Sequence, residues 1–264
     1  MSSGVDTSKE LPTVISFCSG YGGIERGLDL AGFEHRVIAY VEIEAFAIAN
    51  LVAKMETGQL PAAPIYTDLK TFPSEIFRGK VDLITGGYPC QPFSAAGNRL
   101  GSDDPRHLWP HIRRHIESIR PVRVFFENVE GHISLGLSTV ISDLEEDGYR
   151  ATWGIFGTKE FGFIHERKRI YILANSNLFI SGRRTTESGV FGNFQNLQVK
   201  QQSMVWSKTE ERFRDKSTQG FVSKPCIRRG DDGSKNWLDR HRLLGNGVVP
   251  QTAAQAWLTL TERF

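Results

Sequence analysis

Thr13-Val14-Ile15-Ser16-Phe17-Cys18-Ser19-Gly20-Tyr21-Gly22-Gly23-Ile24 is the stretch whose reading decides the fold. Its first five residues form a short run rich in β-branched and aromatic side chains, the composition of a buried strand. The glycines that follow end the run sharply. Ile24, Leu28 and Ala31 then recur at helical spacing as far as Gly32, a plausible stop.

The alternation continues outward from this unit. Val37–Val41 reads as a second strand and Ala45–Lys54 as a second helix. Val81–Ile84 and Val122–Phe126 are strand-like and His111–Ile119 and Thr139–Asp147 helical, while Tyr149–Phe156 and Ile170–Ala174 read as extended. Strands alternating with helices predict an α/β fold, a mostly parallel sheet flanked by helices. In such sheets ligands lie at the carboxyl ends of the strands. From Ser176 to about Asn236 the texture changes to Gly, Ser, Gln, Asn and Thr with little periodicity. Pro250–Phe264 then reads as a helix, with Ala253, Ala254, Trp257 and Leu258 as its apolar face. The expected division is a main domain over 1–175, a small second region over 176–236, and a segment over 237–264 that returns to the main domain.

No apolar run in the 264 residues approaches the ~20 needed to span a bilayer. Met1–Asp6 lacks the features of a signal peptide, so a cytoplasmic protein with no membrane partner is expected. The three cysteines, Cys18, Cys90 and Cys226, are far apart and argue against a disulfide framework and against structural zinc. Between Ala174 and Leu244 there are 13 Lys/Arg against 7 Asp/Glu, a net +6 in a chain whose total is +2. A basic segment beside a slightly acidic body fits a polyanion partner, and fits a solvated insertion equally well.

Gly20, Gly22 and Gly23 let the backbone turn tightly between strand and helix. Glu42, at the end of the second strand, suits the two hydroxyls of a ribose, and Asp68, where a third strand would end, suits an adenine amino group. Together they favour an adenosine-bearing cofactor, with NAD still open. Gly86-Gly87-Tyr88-Pro89-Cys90-Gln91-Pro92-Phe93-Ser94 follows the fourth strand. Two glycines and two prolines make a rigid loop around Cys90, a poor setting for a packing residue and a good one for a nucleophilic thiolate.

This loop, continuing to Asp104 and Arg106, resembles the Pro-Cys-Gln signature of the DNA cytosine-5 methyltransferases. Phe17–Gly23 is similar to the cofactor motif of that family, and Phe126-Glu127-Asn128-Val129 to its Glu-Asn-Val motif. Arg167 and Arg169 match its Arg-x-Arg element, and Gly245-Asn246-Gly247-Val248 its closing motif. The five stand in the family's order and cover most of the chain outside 176–236. The resemblance implies a methyltransferase-type Rossmann-like fold and methyl transfer from S-adenosylmethionine to carbon 5 of cytosine in duplex DNA, without a metal. Cys90 would add to carbon 6 of a flipped-out base. Glu127 would hydrogen-bond or protonate N3, and Arg167 and Arg169 would hold the pyrimidine oxygen and favour the thiolate. Phe17, Gly20, Gly22, Gly23, Glu42, Ile43, Asp68, Leu69, Pro89, Asn246 and Val248 would line the methyl-donor pocket. Ser94 and Arg106 would lie near the substrate, and 176–236 would be a short target-recognition region. His165 departs from the family's usual Gln and Gly247 from its usual Ala. The short recognition region resembles that of compact stand-alone phage and prophage enzymes; a monomer is expected, and nothing implies a cognate restriction nuclease. Two other readings stand beside this one: an RNA methyltransferase of the same family, and a DNA-binding relative without activity.

Overall fold

The computed structural model describes residues 11–89, 108–161, 167–180 and 247–264. β1 (Thr13–Phe17) forms where the sequence predicts it, and all five of its residues are buried. α1 (Gly23–Leu30), β2 (Arg36–Val41) and α2 (Ala45–Glu56) follow. β3 is only Ile65–Tyr66, too short to announce itself, and leads into two 3-10 turns, Leu69–Thr71 and Ser74–Phe77. β4 (Leu83–Gly86), α3 (Trp109–Ile119) and β5 (Arg123–Val129) come next. The single-turn α4 (His132–Leu135) and α5 (Leu137–Glu146) precede β6 (Tyr149–Gly157), β7 (Lys168–Ser176) and α6 (Asn177–Ile180), and α7 (Pro250–Thr261) returns at the end.

Seven strands make one sheet in the order β3-β2-β1-β4-β5-β7-β6. β1 to β5 pair in parallel, whereas β7 runs antiparallel to both β5 and β6. No α-helix lies between β6 and β7 among the described residues, and an antiparallel pair needs no helical crossover. The chain builds outward through β2 and β3 and then re-enters beside β1 as β4. That reversal opens a crevice at the carboxyl ends of β1 and β4, the place where ligands sit in open α/β sheets.

One face of the sheet packs Ile15, Ile84, Val124, Phe126, Ile170 and Ile172 against the apolar stripe of α3, Ile112, Ile116 and Ile119, and against Val140 and Leu144 of α5. Arg113 ties these two helices together, with Nη1 2.5 Å from Asp143 and Nε 3.0 Å from Asp147. On the other face, Trp257 of α7 meets Phe33 with ring centroids 4.8 Å apart and Phe125 at 5.3 Å, and Phe125 stacks on Tyr171 at 5.6 Å. The C-terminal helix packs on this face of the sheet.

The chain divides into two compact units, Met1–Gly192 with Val248–Phe264, and Asn193–Gly247. Every element above belongs to the first. Beyond β7 and α6, the second region expected over 176–236 lies outside the described residues.

Candidate active site

The crevice is built from the glycine turn upward. Phe17 ends β1, paired with Val41 on one side and Gly86 on the other. Cys18 follows with φ 49° and Gly20 with φ 55°, so the backbone turns through the left-handed region. Burial and the Glu42 carboxylate push the Cys18 thiol up to about 12, which keeps it protonated. Of the two cysteines nearest the site in sequence, this one is a packing residue.

Glu42 closes the turn from β2. Its Oε2 accepts a hydrogen bond from the Gly20 amide at 2.7 Å and its Oε1 accepts one from the Glu44 amide at 2.9 Å. Each carboxylate oxygen keeps a further lone pair for a hydroxyl donor. A Cβ at Gly20 would meet nothing within 4 Å, so open space adjoins the turn. Ile43 beside it is 72% exposed, an apolar side chain standing at the crevice. Asp68 lies half-buried past the end of β3, where its Oδ1 accepts from the Lys70 amide, and Leu69 is buried behind it.

Gly22 and Gly23 serve a different need. A Cβ on Gly22 would stand 2.5 Å from Leu60, and one on Gly23 would stand 2.4 Å from the Val248 carbonyl oxygen. Both make room for the chain itself. Tyr21 adds a clasp: its hydroxyl donates to the Val248 carbonyl, while Lys54 Nζ donates to the Tyr21 carbonyl and lies 4.6 Å over its ring. Val248, the last residue of the closing motif, is thereby fastened to the glycine turn.

Glu127, at the carboxyl end of β5, is 5% exposed. The Cβ position of Gly87 lies 3.5 Å from Glu127 Oε2 and 3.5 Å from Val248 Cγ2. The stem of the Pro-Cys-Gln loop, the Glu-Asn-Val motif and the closing motif therefore converge at Gly87. Antiparallel pairing sets Arg169 two residues from the partner of Glu127, and its Nε lies 3.0 Å from Glu127 Oε1. Burial nevertheless outweighs the cations of Arg169 and Arg167 and raises the Glu127 carboxyl from 4.5 to about 7. Burial also lowers Arg167 below the usual guanidinium range, with Arg169 adding to the effect and Glu127 opposing it. A carboxyl poised near neutrality between two arginines can both donate and accept a proton.

Tyr88, next to the exposed Pro89, is buried in an aromatic cage of Trp109, Phe126 and His132, and its hydroxyl lies 3.2 Å from His132 Nε2. Tyr88 and Trp109 bracket the segment 90–107, so both ends of the Cys90 loop are anchored beside β5. A cavity of about 510 Å³ lies alongside, lined by Pro89, Leu108, Trp109, Arg113 and Val140 among others. Cys90, Ser94, Arg106, His165 and Asn246 lie outside the described residues. Sequence reasoning missed Tyr21, Lys54 and the buried histidines. His115 was the most legible of them, because it falls on the same stripe of α3 as Ile112 and Ile119.

The Dnmt2 methyltransferase of S. pombe superposes with a TM-score of 0.53 over 67% of this chain and 57% of that one, at 24% identity. A putative DNA modification methyltransferase encoded within an E. coli prophage gives a TM-score of 0.50 over 64% of this chain and 48% of that one, also at 24% identity. The α/β fold is shared with these methyltransferases. Residues 12–253 match the model of the C-5 cytosine-specific DNA methylases, and the chain belongs to that family. Among curated relatives, Type II methyltransferase M.NgoMIV of Neisseria gonorrhoeae is 32% identical over 62% of this chain, and M.NaeI of Lentzea aerocolonigenes is 32% identical over 63%. The chain spans 52% and 40% of the lengths of those two relatives.

Proposed function

We propose that the chain methylates carbon 5 of cytosine in duplex DNA at a short specific sequence, with S-adenosylmethionine as methyl donor. The observation that carries the reading is the convergence at Gly87. There a buried carboxyl held at about 7, an arginine 3.0 Å from it, and the residues that lead into the Cys90 segment meet at the carboxyl ends of β4 and β5.

The residues around the turn fit the donor. Glu42 offers two carboxylate oxygens for ribose hydroxyls, Ile43 an apolar surface for a purine, and the Gly20 turn open space. Phe17, Asp68, Leu69, Pro89, Asn246 and Val248 complete the proposed pocket. S-adenosylmethionine bound there supplies an electrophilic methyl group.

The chain's own residues activate the base. Carbon 5 of cytosine is a weak nucleophile, so the Cys90 thiolate adds to carbon 6 and breaks the aromaticity. The electron pair displaced from the ring needs a proton or hydrogen bond at N3, and Glu127 in its protonated form supplies it. Arg167 and Arg169 stabilise negative charge on the thiolate and hold the pyrimidine oxygen. After methylation carbon 5 loses its proton, the C6–S bond breaks, and Cys90 leaves as thiolate. The target base must leave the duplex for any of this to happen, with Ser94 and Arg106 beside it. The segment 176–236 supplies target recognition, and its positive charge fits phosphate contact.

Radiolabelled S-adenosylmethionine tests the reading when the protein is given duplex DNA and, in parallel, transfer RNA. Label entering only DNA, with cytosines in one short sequence protected from chemical conversion, is the expected result. Label entering only RNA would overturn the substrate, and label entering neither would overturn the activity.

A further inference from the structure

His115 lies in the middle of α3, where the spacing of Ile112, Ile116 and Ile119 calls for an apolar side chain, and it is 1% exposed. An imidazole there gives up its hydration, so an apolar residue would fill the space at lower cost. What the imidazole gains is specific. Its Nε2 lies 2.6 Å from the carbonyl oxygen of Leu69, across 46 residues of sequence. A carbonyl only accepts, so Nε2 carries the proton. The ring stands 5.5 Å from Phe17 and 5.6 Å, perpendicular, from Phe72. The adjacent Arg114 donates to the carbonyl of Lys70 at 2.8 Å. Two neighbouring residues of α3 thus grip two consecutive carbonyls of the 3-10 turn that carries Asp68 and Leu69. The Leu69 carbonyl receives only a long 3.4 Å bond from the turn itself, through the Phe72 amide, so the imidazole supplies its stronger partner.

We propose that His115 is a positioning residue of the methyl-donor pocket, fixing the Asp68–Leu69 turn against Phe17 so that the two walls of the pocket keep one spacing. The inference rests on the donor pocket proposed above. Burial holds the imidazole below its ordinary pKa, with the bond to Leu69 opposing and the charges of Arg114 and His111 adding to the lowering. His115 therefore acts as a neutral donor. It touches no reacting atom, and its effect is exerted on donor affinity.

Three variants separate positioning from packing. His115→Gln keeps an amide N–H that reaches the Leu69 carbonyl, His115→Asn has the same chemistry with too short a reach, and His115→Phe keeps the ring and loses the donor. The measurements are the Kd for S-adenosylhomocysteine by calorimetry, KM and kcat with duplex DNA, DNA affinity, and Tm. The Phe and Asn variants are expected to raise the Kd and the donor KM about 10-fold, the scale of one buried carbonyl losing its partner. Saturated kcat and DNA affinity stay within about 2-fold of the unsubstituted protein, and Gln restores most of the donor affinity. A purely structural role would lower Tm in all three without separating Gln from Asn in Kd, and that result overturns the proposal. Equal Kd in the Phe variant and the unsubstituted protein also overturns it, while leaving the pocket reading intact. Failure of the unsubstituted protein to bind S-adenosylhomocysteine overturns both.

Discussion

Glu127 carries two separable predictions, one for rate and one for stability. In the proposed mechanism its protonated form is the competent one, so kcat/KM should fall as pH rises through about 7. Glu127→Gln lowers kcat by about 100- to 10,000-fold at neutral pH and leaves DNA affinity unchanged, as steady-state kinetics and a binding titration measure. The stability prediction follows from the direction of the shift. A carboxyl at about 7 in the fold and near 4.5 when unfolded contributes stability below 4.5 that is lost as pH rises to 7. Denaturant melts between pH 4 and 8 should show a loss of roughly 3 kcal/mol that is absent in Glu127→Gln. The sequence made the identity of this residue legible through the motif around it. Its poise was not legible, since that depends on burial and on Arg169, which only strand pairing brings beside it.

The glycine turn and the C-terminal helix show what elements add to motifs. The turn is read from sequence as a tight bend, but Gly22 and Gly23 are glycines because Leu60 and Val248 occupy the space of their side chains. Those neighbours lie far along the chain, so no local pattern reveals them. Gly23→Ala forces a Cβ to within 2.4 Å of a backbone oxygen and should cost about 1–3 kcal/mol in a denaturant melt. Donor affinity should fall with it, because the closing motif is displaced from the turn. The apolar face of α7 is visible in the sequence, and in the structure Trp257 packs against Phe33 and Phe125. Trp257→Ala should lower stability by about 3–5 kcal/mol, read from the shift in denaturation midpoint. β1 and β2 were legible as short apolar runs, and α1 and α3 because their apolar residues recur at helical spacing. β3 and α4, of two and four residues, are too short to carry either signal.

At the scale of the whole molecule, the proposed function requires a polyanion whose base is presented for chemistry, and the net positive charge between Ala174 and Leu244 fits that requirement. DNA affinity should fall linearly with the logarithm of salt concentration. Replacing Arg183, Arg184, Lys200, Arg228 or Arg229 by alanine should reduce the slope by about one wherever that side chain meets a phosphate, and weaken binding evenly across sequences. The recognition sequence itself was not legible, because base readout depends on the placement of a few side chains in a groove and not on their composition. The central claim is that Cys90 forms a covalent bond to the base it activates. Duplex DNA in which the target cytosine is replaced by 5-fluorocytosine, incubated with S-adenosylmethionine, should trap the protein in a complex that survives denaturing electrophoresis, because fluorine at carbon 5 cannot leave as a proton does. Cys90→Ala should bind the same DNA with unchanged affinity and give no trapped complex. A trapped complex with Cys90→Ala, or none with the unsubstituted protein under conditions where ordinary DNA is methylated, would contradict the account.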